Sequence, residues 1–299
     1  MLAPALAPHE AERRRLAVWA TSVVLITGLI GLAVGAALAI HLRTPAPFWI
    51  CAVLPTTIAG HFAWKRLRRF RTDCKAEALT ALSRAIGLDY QCEGFEPFGV
   101  ERLQRLDLLP SYERSHFEDR FAGRRDGVDF ALYEARLEVQ RGSGKSRRWV
   151  VVFGGQVLRI GFPKRFLGTT VVNRDSVHGW RREGFERIGL ESSQFERIFE
   201  VYGTDQVEAR YLVHPAFMER LMALETALGG EKLRCAFDEG ELMVLVEGGD
   251  LFEIVNVFEP LPDRETTRKG VEGVSHVLKL IDAVLAPPTN PFADTEAAS

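Results

Sequence analysis

Three short clusters in this 299-residue chain carry residue types that could do chemistry. Gly144-Lys145-Ser146 copies the end of a phosphate-binding loop, in which a lysine and backbone amides cradle phosphates. The full pattern, G-x-x-x-x-G-K-[ST], also needs a glycine where Val139 stands. It must also lead from a strand into a helix, so that amides and helix dipole face the phosphate. Here the flanking residues read as two strands, which argues against nucleotide binding. Asp175, Ser176 and His178 supply the three types of a hydrolytic triad. Adjacency in sequence is not triad geometry, and no G-x-S-x-G elbow exists. His116, His178, His214 and His276 lie far apart, with no metal-binding spacing. Cys51, Cys74, Cys92 and Cys235 show no C-x-x-C pair and read as isolated reduced thiols. No catalytic residue, metal site or cofactor is assigned.

The most distinctive segment is Gly161–Thr170, apolar and basic by turns, with Pro163 stopping ladder pairing. One reading is an exposed loop that places Lys164 and Arg165 on a partner or a phosphate. The other is a sheet-edge connection whose phenylalanines pack beneath.

These residues hang on an unusual frame. Leu16 to Ile40 contains no Asp, Glu, Lys or Arg and holds twelve Leu, Ile and Val. At ~1.5 Å per residue it exceeds the ~30 Å hydrocarbon core, and those twelve contribute about −4 to −7 kcal/mol to insertion. Gly31 and Gly35, with Gly28 before them, form a small-residue face that lets another helix approach. A second apolar stretch, Pro47 to Trp64, is shorter and is expected to kink at Pro55. It is read as the hairpin partner of the first. Ala37-Leu38-Ala39 resembles a signal-peptidase site, but the apolar run before it is too long for a signal peptide and a second span follows.

Arg13, Arg14 and Arg15 precede the hairpin, and Lys65, Arg66, Arg68, Arg69 and Arg71 follow it. The connecting loop offers only Arg43, so the positive-inside rule places both termini in the cytoplasm. Lys65, Arg66, Arg68, Arg69, Lys164 and Arg165 are the candidate contacts to an anionic surface.

Beyond the collar, the fold class is expected to be α+β, a mostly antiparallel sheet with packed helices. The divisions are an N-terminal segment (1–15), a transmembrane hairpin (16–40 and 47–64), a collar and helical stalk (65–110), and a cytoplasmic domain (111–286). The last is one body or two subdomains, about 111–175 and 190–286, and a disordered tail covers 287–299. A stalk helix ends at Gly87, and a short helix covers Val100–Leu108. Val128–Val139, Trp149–Phe153 and Leu158–Phe162 form a meander with turns at Gly142–Lys145 and Gly154-Gly155, the middle strand buried on both faces. Val177–Arg187 reads as a helix; Phe195–Tyr202 and Val207–Val213 read as strands. Pro215 opens a helix, Leu233–Phe237 and Leu242–Val246 form a hairpin, a further strand follows Gly248-Gly249, and a last helix spans Thr266–Leu285.

Net charge is −2, which implies no general affinity for nucleic acid, yet charge is segregated. Arg141–Arg187 carries eleven basic residues against three acidic, and Glu191–Glu265 six basic against seventeen acidic. The basic block is expected either to meet anionic lipid or to pair with the acidic half.

Glu138-Val-Gln-Arg-Gly-Ser-Gly-Lys145, Val152-Phe-Gly-Gly-Gln156 and Phe162-Pro-Lys-Arg-Phe166 resemble a bacterial family known as domain of unknown function 3137. Tyr202-Gly-Thr-Asp205, Glu208-Ala-Arg210 and Pro215-Ala-Phe217 fit the same family. The resemblance implies the membrane-anchored architecture and supplies no catalytic residue. The preferred reading is a non-enzymatic binding or scaffold protein, anchored in the lipid bilayer, whose cytoplasmic domain is presented to a protein partner in the membrane or to the anionic lipid surface. The rival is a membrane-associated hydrolase or transferase with a site near Lys164, Arg165 and the acidic half.

Overall fold

The computed structural model describes residues 9–125, 127–162, 165–174, 180–227 and 232–249, together with Phe252, Arg268, Ser275 and Leu278. The chain divides into two compact units. In the first, α1 (Glu10–Leu42) and α2 (Ala46–Ala85) are joined by a turn in which Arg43 is left-handed. The helices run antiparallel, with Gly35 against Phe48, Gly28 against Thr56, and Arg66 stacked over Trp19. The expected second span and stalk are thus one unbroken helix that passes through Pro55. Gly87, with φ +73°, follows its end as expected.

The second unit is built on one nine-stranded sheet. Its strands are β1 (Asp89–Gln91), β2 (Arg114–Arg125), β3 (Val128–Arg141), β4 (Arg148–Gly161), β5 (Thr170–Arg174), β6 (Glu186–Ile188), β7 (Phe199–Gly203), β8 (Lys232–Asp238) and β9 (Glu241–Glu247). The spatial order is β1-β2-β3-β4-β9-β8-β5-β7-β6, every neighbouring pair antiparallel. The fold is α+β, and strands from both charge halves share the sheet. Helices α3 (Val100–Arg105), α4 (Ser193–Glu196), α5 (Gln206–Leu212) and α6 (Pro215–Ala227) accompany it. One core gathers Leu103 of α3, Tyr133, Ala135 and Leu137 of β3, Phe153 and Val157 of β4, and Met243 and Leu245 of β9.

Several local expectations are corrected. Gly154-Gly155 is no hairpin turn, because β4 runs straight through it. The glycines make room instead: a Cβ on Gly155 would lie 2.0 Å from the Val246 carbonyl oxygen of β9. Nor is the start of β4 buried on both faces; Trp149 and Val151 are exposed. Val207–Val213 is not a strand. Asp205 accepts from the amides of Val207 and Glu208, capping α5. The D-x-x-E spacing of Asp205 and Glu208 is the local sequence signal for this helix start. Phe195–Tyr202 divides into α4 and β7, and Glu186–Ile188 is a strand rather than the end of a helix. The β8–β9 hairpin is as expected, turning through Glu239 and Gly240 at positive φ. The strand after Gly249, the tail, the Asp175-Ser176-His178 cluster and most of the final helix lie outside the described residues; Arg268, Ser275 and Leu278 of that helix are helical.

Asp205→Ala removes a side chain that satisfies two helix-start amides. Loss of about 1 kcal/mol of stability is expected, measured by denaturant unfolding of the detergent-solubilised chain.

Candidate functional site

The α1–α2 seam is packed inside out. Small residues face inward: Ala20, Gly31 and Gly35 are buried. A Cβ on Gly31 would lie 2.2 Å from the Cys51 carbonyl oxygen, and one on Gly35 would lie 2.8 Å from the Phe48 backbone. The large apolar side chains point away, namely Leu25, Ile26, Leu29 and Ile30 on α1 and Ile50, Val53, Leu54, Ile58 and Phe62 on α2. By length and composition α1 is long and apolar enough to cross a membrane, and among the described residues no other helix reaches that measure.

Where the apolar stretches end, charge and aromatic rings meet. Arg66 stacks on Trp19, Arg68 on Trp64, Arg13 and Arg14 bind Glu10, and His9 meets Glu77 at 2.8 Å. Lys65, Arg66, Arg68 and Arg69 are all exposed on α2. Cys74, one turn further on, is buried; desolvation, with Glu12, Glu77 and Asp73 adding, pushes its thiol up to about 12. It is therefore an unreactive thiol.

In the sheet unit, Arg165 is exposed and Lys164 lies outside the described residues. The phenylalanines of this loop pack beneath it, as one of its two readings expects. Phe162 and Phe166 pack on Phe237 beneath, while Arg165 and the 87% exposed Leu167 stand above. The Glu208 carboxylate clamps the loop, accepting from the amides of Leu167 and Gly168 at 2.8 Å. Thr169 donates to Asp238 at 2.6 Å.

The segregated charges are partly reunited. Arg159 meets Glu241, Arg174 meets Glu225, and Arg187 meets Glu200. Arg102 of α3 gathers Asp238, Glu239 and Glu241.

A carboxylate cluster that sequence reasoning missed sits deeper. Glu118, Asp119 and Glu134 place ligand oxygens within 4.8 Å of one another. A bulge in β2, with Asp119 at φ +53°, turns that side chain inward beside the pair Glu118–Glu134. Tyr90 donates to Asp119 at 2.6 Å, and Gln156, opposite Glu134 on β4, donates to it at 3.1 Å. Burial and the Asp119 charge hold the Tyr90 phenol well above its ordinary range, so it stays a donor. The all-oxygen set is of the kind that suits a hard cation, but each of the three carboxylates also has a further interaction within the protein. Acidic residues are too numerous for sequence alone to have singled these out.

Apolar helical hairpin and nine-stranded antiparallel sheet together define a two-unit α+β protein with a candidate anchor. Residues 151–285 match the model of the family described as "Protein of unknown function (DUF3137)". No curated protein matches the sequence. Among solved structures, the crystal structure of the mycobacterial trehalose monomycolate transport factor A, TtfA, is similar, with a TM-score of 0.39 and 12% identity, over 70% of this chain and 94% of that one.

Gly31→Leu is expected to force the helices apart and cost about 1–3 kcal/mol, read as a lower thermal midpoint in detergent. Gly60→Leu, at a site with nothing within 4 Å, is the control that leaves the midpoint unchanged. Tyr90→Phe removes a hydrogen bond to a buried carboxylate and is expected to cost about 1–3 kcal/mol, measured by denaturant unfolding.

Proposed function

We propose that this chain is a membrane-anchored, non-enzymatic binding module. The α1–α2 hairpin crosses the bacterial inner membrane twice, and both termini and the sheet unit lie in the cytoplasm. The sheet unit is presented to a protein partner or to the anionic lipid surface.

The observation that carries this reading is the inverted packing of the hairpin. In water, burying apolar area is worth about 25 cal/mol per Å², so a soluble helix pair hides its leucines and leaves small residues outside. Between Val18 and Phe62, Ala20, Gly31 and Gly35 are hidden, while Leu25, Ile26, Leu29, Ile30, Ile50, Val53, Leu54, Ile58 and Phe62 face outward. Lipid is as apolar as leucine, so in a bilayer the helices associate by close backbone packing at small residues instead. The second helix is less apolar than the first, but its outward face carries the same residue types, and the first supplies its partner.

Orientation follows from charge. Arg13–Arg15 and the Lys65–Arg71 collar lie at the open end, against Arg43 alone at the turn. Trp19 and Trp64, each under an arginine, suit the headgroup level on that side. Exposed Lys65, Arg66, Arg68 and Arg69 are then in reach of anionic headgroups, each contributing about 1 kcal/mol.

The protein is expected to stay with the membrane pellet in alkaline carbonate. A fluorescent protein fused at either end should fluoresce, and alkaline phosphatase fused at the same ends should be inactive. Release by carbonate, or active phosphatase at both ends, overturns the reading.

A further inference from the structure

We propose that the tip of the β3–β4 hairpin, residues 139–151, is a docking element for an anionic lipid surface. This rests on the anchored reading above and names the part of the sheet unit that meets the headgroups. The hairpin outruns its sheet. β2 pairs with β3 no farther than Glu138, and β9 pairs with β4 only from Gly155. Between those limits, residues 139–141 and 148–150 pair with each other as a two-stranded ribbon.

The ribbon is cationic and amphipathic. No Asp or Glu occurs from Val139 to Arg174. Arg141, Arg147 and Arg148 are exposed, with no ion-pair partner among the described residues, whereas Arg159 and Arg174 farther along are paired with Glu241 and Glu225. Trp149 and Val151 stand on one face of β4, 44% and 41% exposed, and Arg114 stacks over the Trp149 ring at 5.9 Å. Arg114 also meets Glu138 at 3.7 Å, which leaves Arg141, Arg147 and Arg148 beside the indole as the cations with no ion-pair partner among the described residues, a composition that membrane interfaces favour.

The tip is also pre-shaped. Gly142, at φ +95°, lies so close to the next turn that a Cβ there would be 2.4 Å from the Ser146 carbonyl oxygen. The Ser146 amide donates to Ser143, closing a short 3-10 turn at Gly144–Ser146. Docking such a tip orders little that is not already ordered. The hairpin end projects beyond its sheet neighbours, and a lipid surface accepts a convex element. Each cation near such a surface strengthens attachment roughly fivefold.

The test uses the full-length protein in proteoliposomes with acyl-brominated lipids. Subtracting the emission of Trp149→Phe isolates Trp149. That emission should be quenched by brominated phosphatidylglycerol, released by high salt, and unchanged by brominated phosphatidylcholine. R141S/R147S/R148S should weaken docking about a hundredfold, read from the phosphatidylglycerol fraction needed for half quenching. Quenching in neither lipid, equal quenching in both, or indifference to the triple substitution overturns the proposal. So does a stronger Trp149 response to added RNA or polyglutamate, which would assign the tip to another polyanion. The emission that remains in Trp149→Phe comes from Trp19, Trp49 and Trp64 and from Trp180, buried in the sheet unit, and its quenched part reports the anchor separately. If it is quenched while Trp149 is not, docking alone fails; if it is not quenched, the anchored reading fails.

Discussion

The passage of β4 alongside β9 is the contact on which the sheet unit depends. β4 pairs with β3 along one edge and with β9 along part of the other, and among the described residues this strand pairing joins the N-terminal meander to the strands that follow. That junction is possible because position 155 has no side chain; any Cβ would collide with the β9 backbone. Closing the gap would leave two smaller sheets, each with an exposed edge that a folded protein must cover or pair.

The junction also settles where charge goes. It brings the acid-rich β8–β9 hairpin beside the basic β4, so Arg159 finds Glu241, and Arg102 of α3 finds Asp238, Glu239 and Glu241 at the same turn. These pairs are part-exposed, and their individual worth is small. Their joint effect is to divide the basic block. Its central residues are absorbed within the fold, and those at the ribbon and at Arg165 are left facing outward. The Glu118–Asp119–Glu134 group belongs to a different order of constraint. Carboxylates so close in a buried place need donors, and Tyr90 and Gln156 supply them from neighbouring strands.

The helical unit obeys opposite packing rules. Along its apolar stretches, Ala20, Gly31, Gly35 and Ala63 are buried, while leucine, isoleucine and phenylalanine such as Leu29, Ile30, Ile58 and Phe62 face outward. The sheet unit hides its largest side chains, among them Tyr133, Phe121, Phe153 and Phe237. One chain thus carries two solutions to burying apolar surface, which fits two different solvents.

By itself, the sequence determined the features written in contiguous runs. Leu16–Ile40 could only be a long apolar helix, the spacing of Gly31 and Gly35 marked its contact face, and Asp238-Glu239-Gly240 between alternating apolar residues marked a hairpin. Those signals are local, set by backbone preference and residue spacing. Only the tertiary structure decided what Gly154-Gly155 does, because a glycine pair serves a turn or a close neighbour equally well. It alone showed that Val207–Val213 winds into a helix, since the Asp205 cap competes with an alternating pattern of nearly equal weight. It alone picked three carboxylates out of forty acidic residues, because they come from two strands and a bulge, and proximity across strands leaves no mark in the order of the chain.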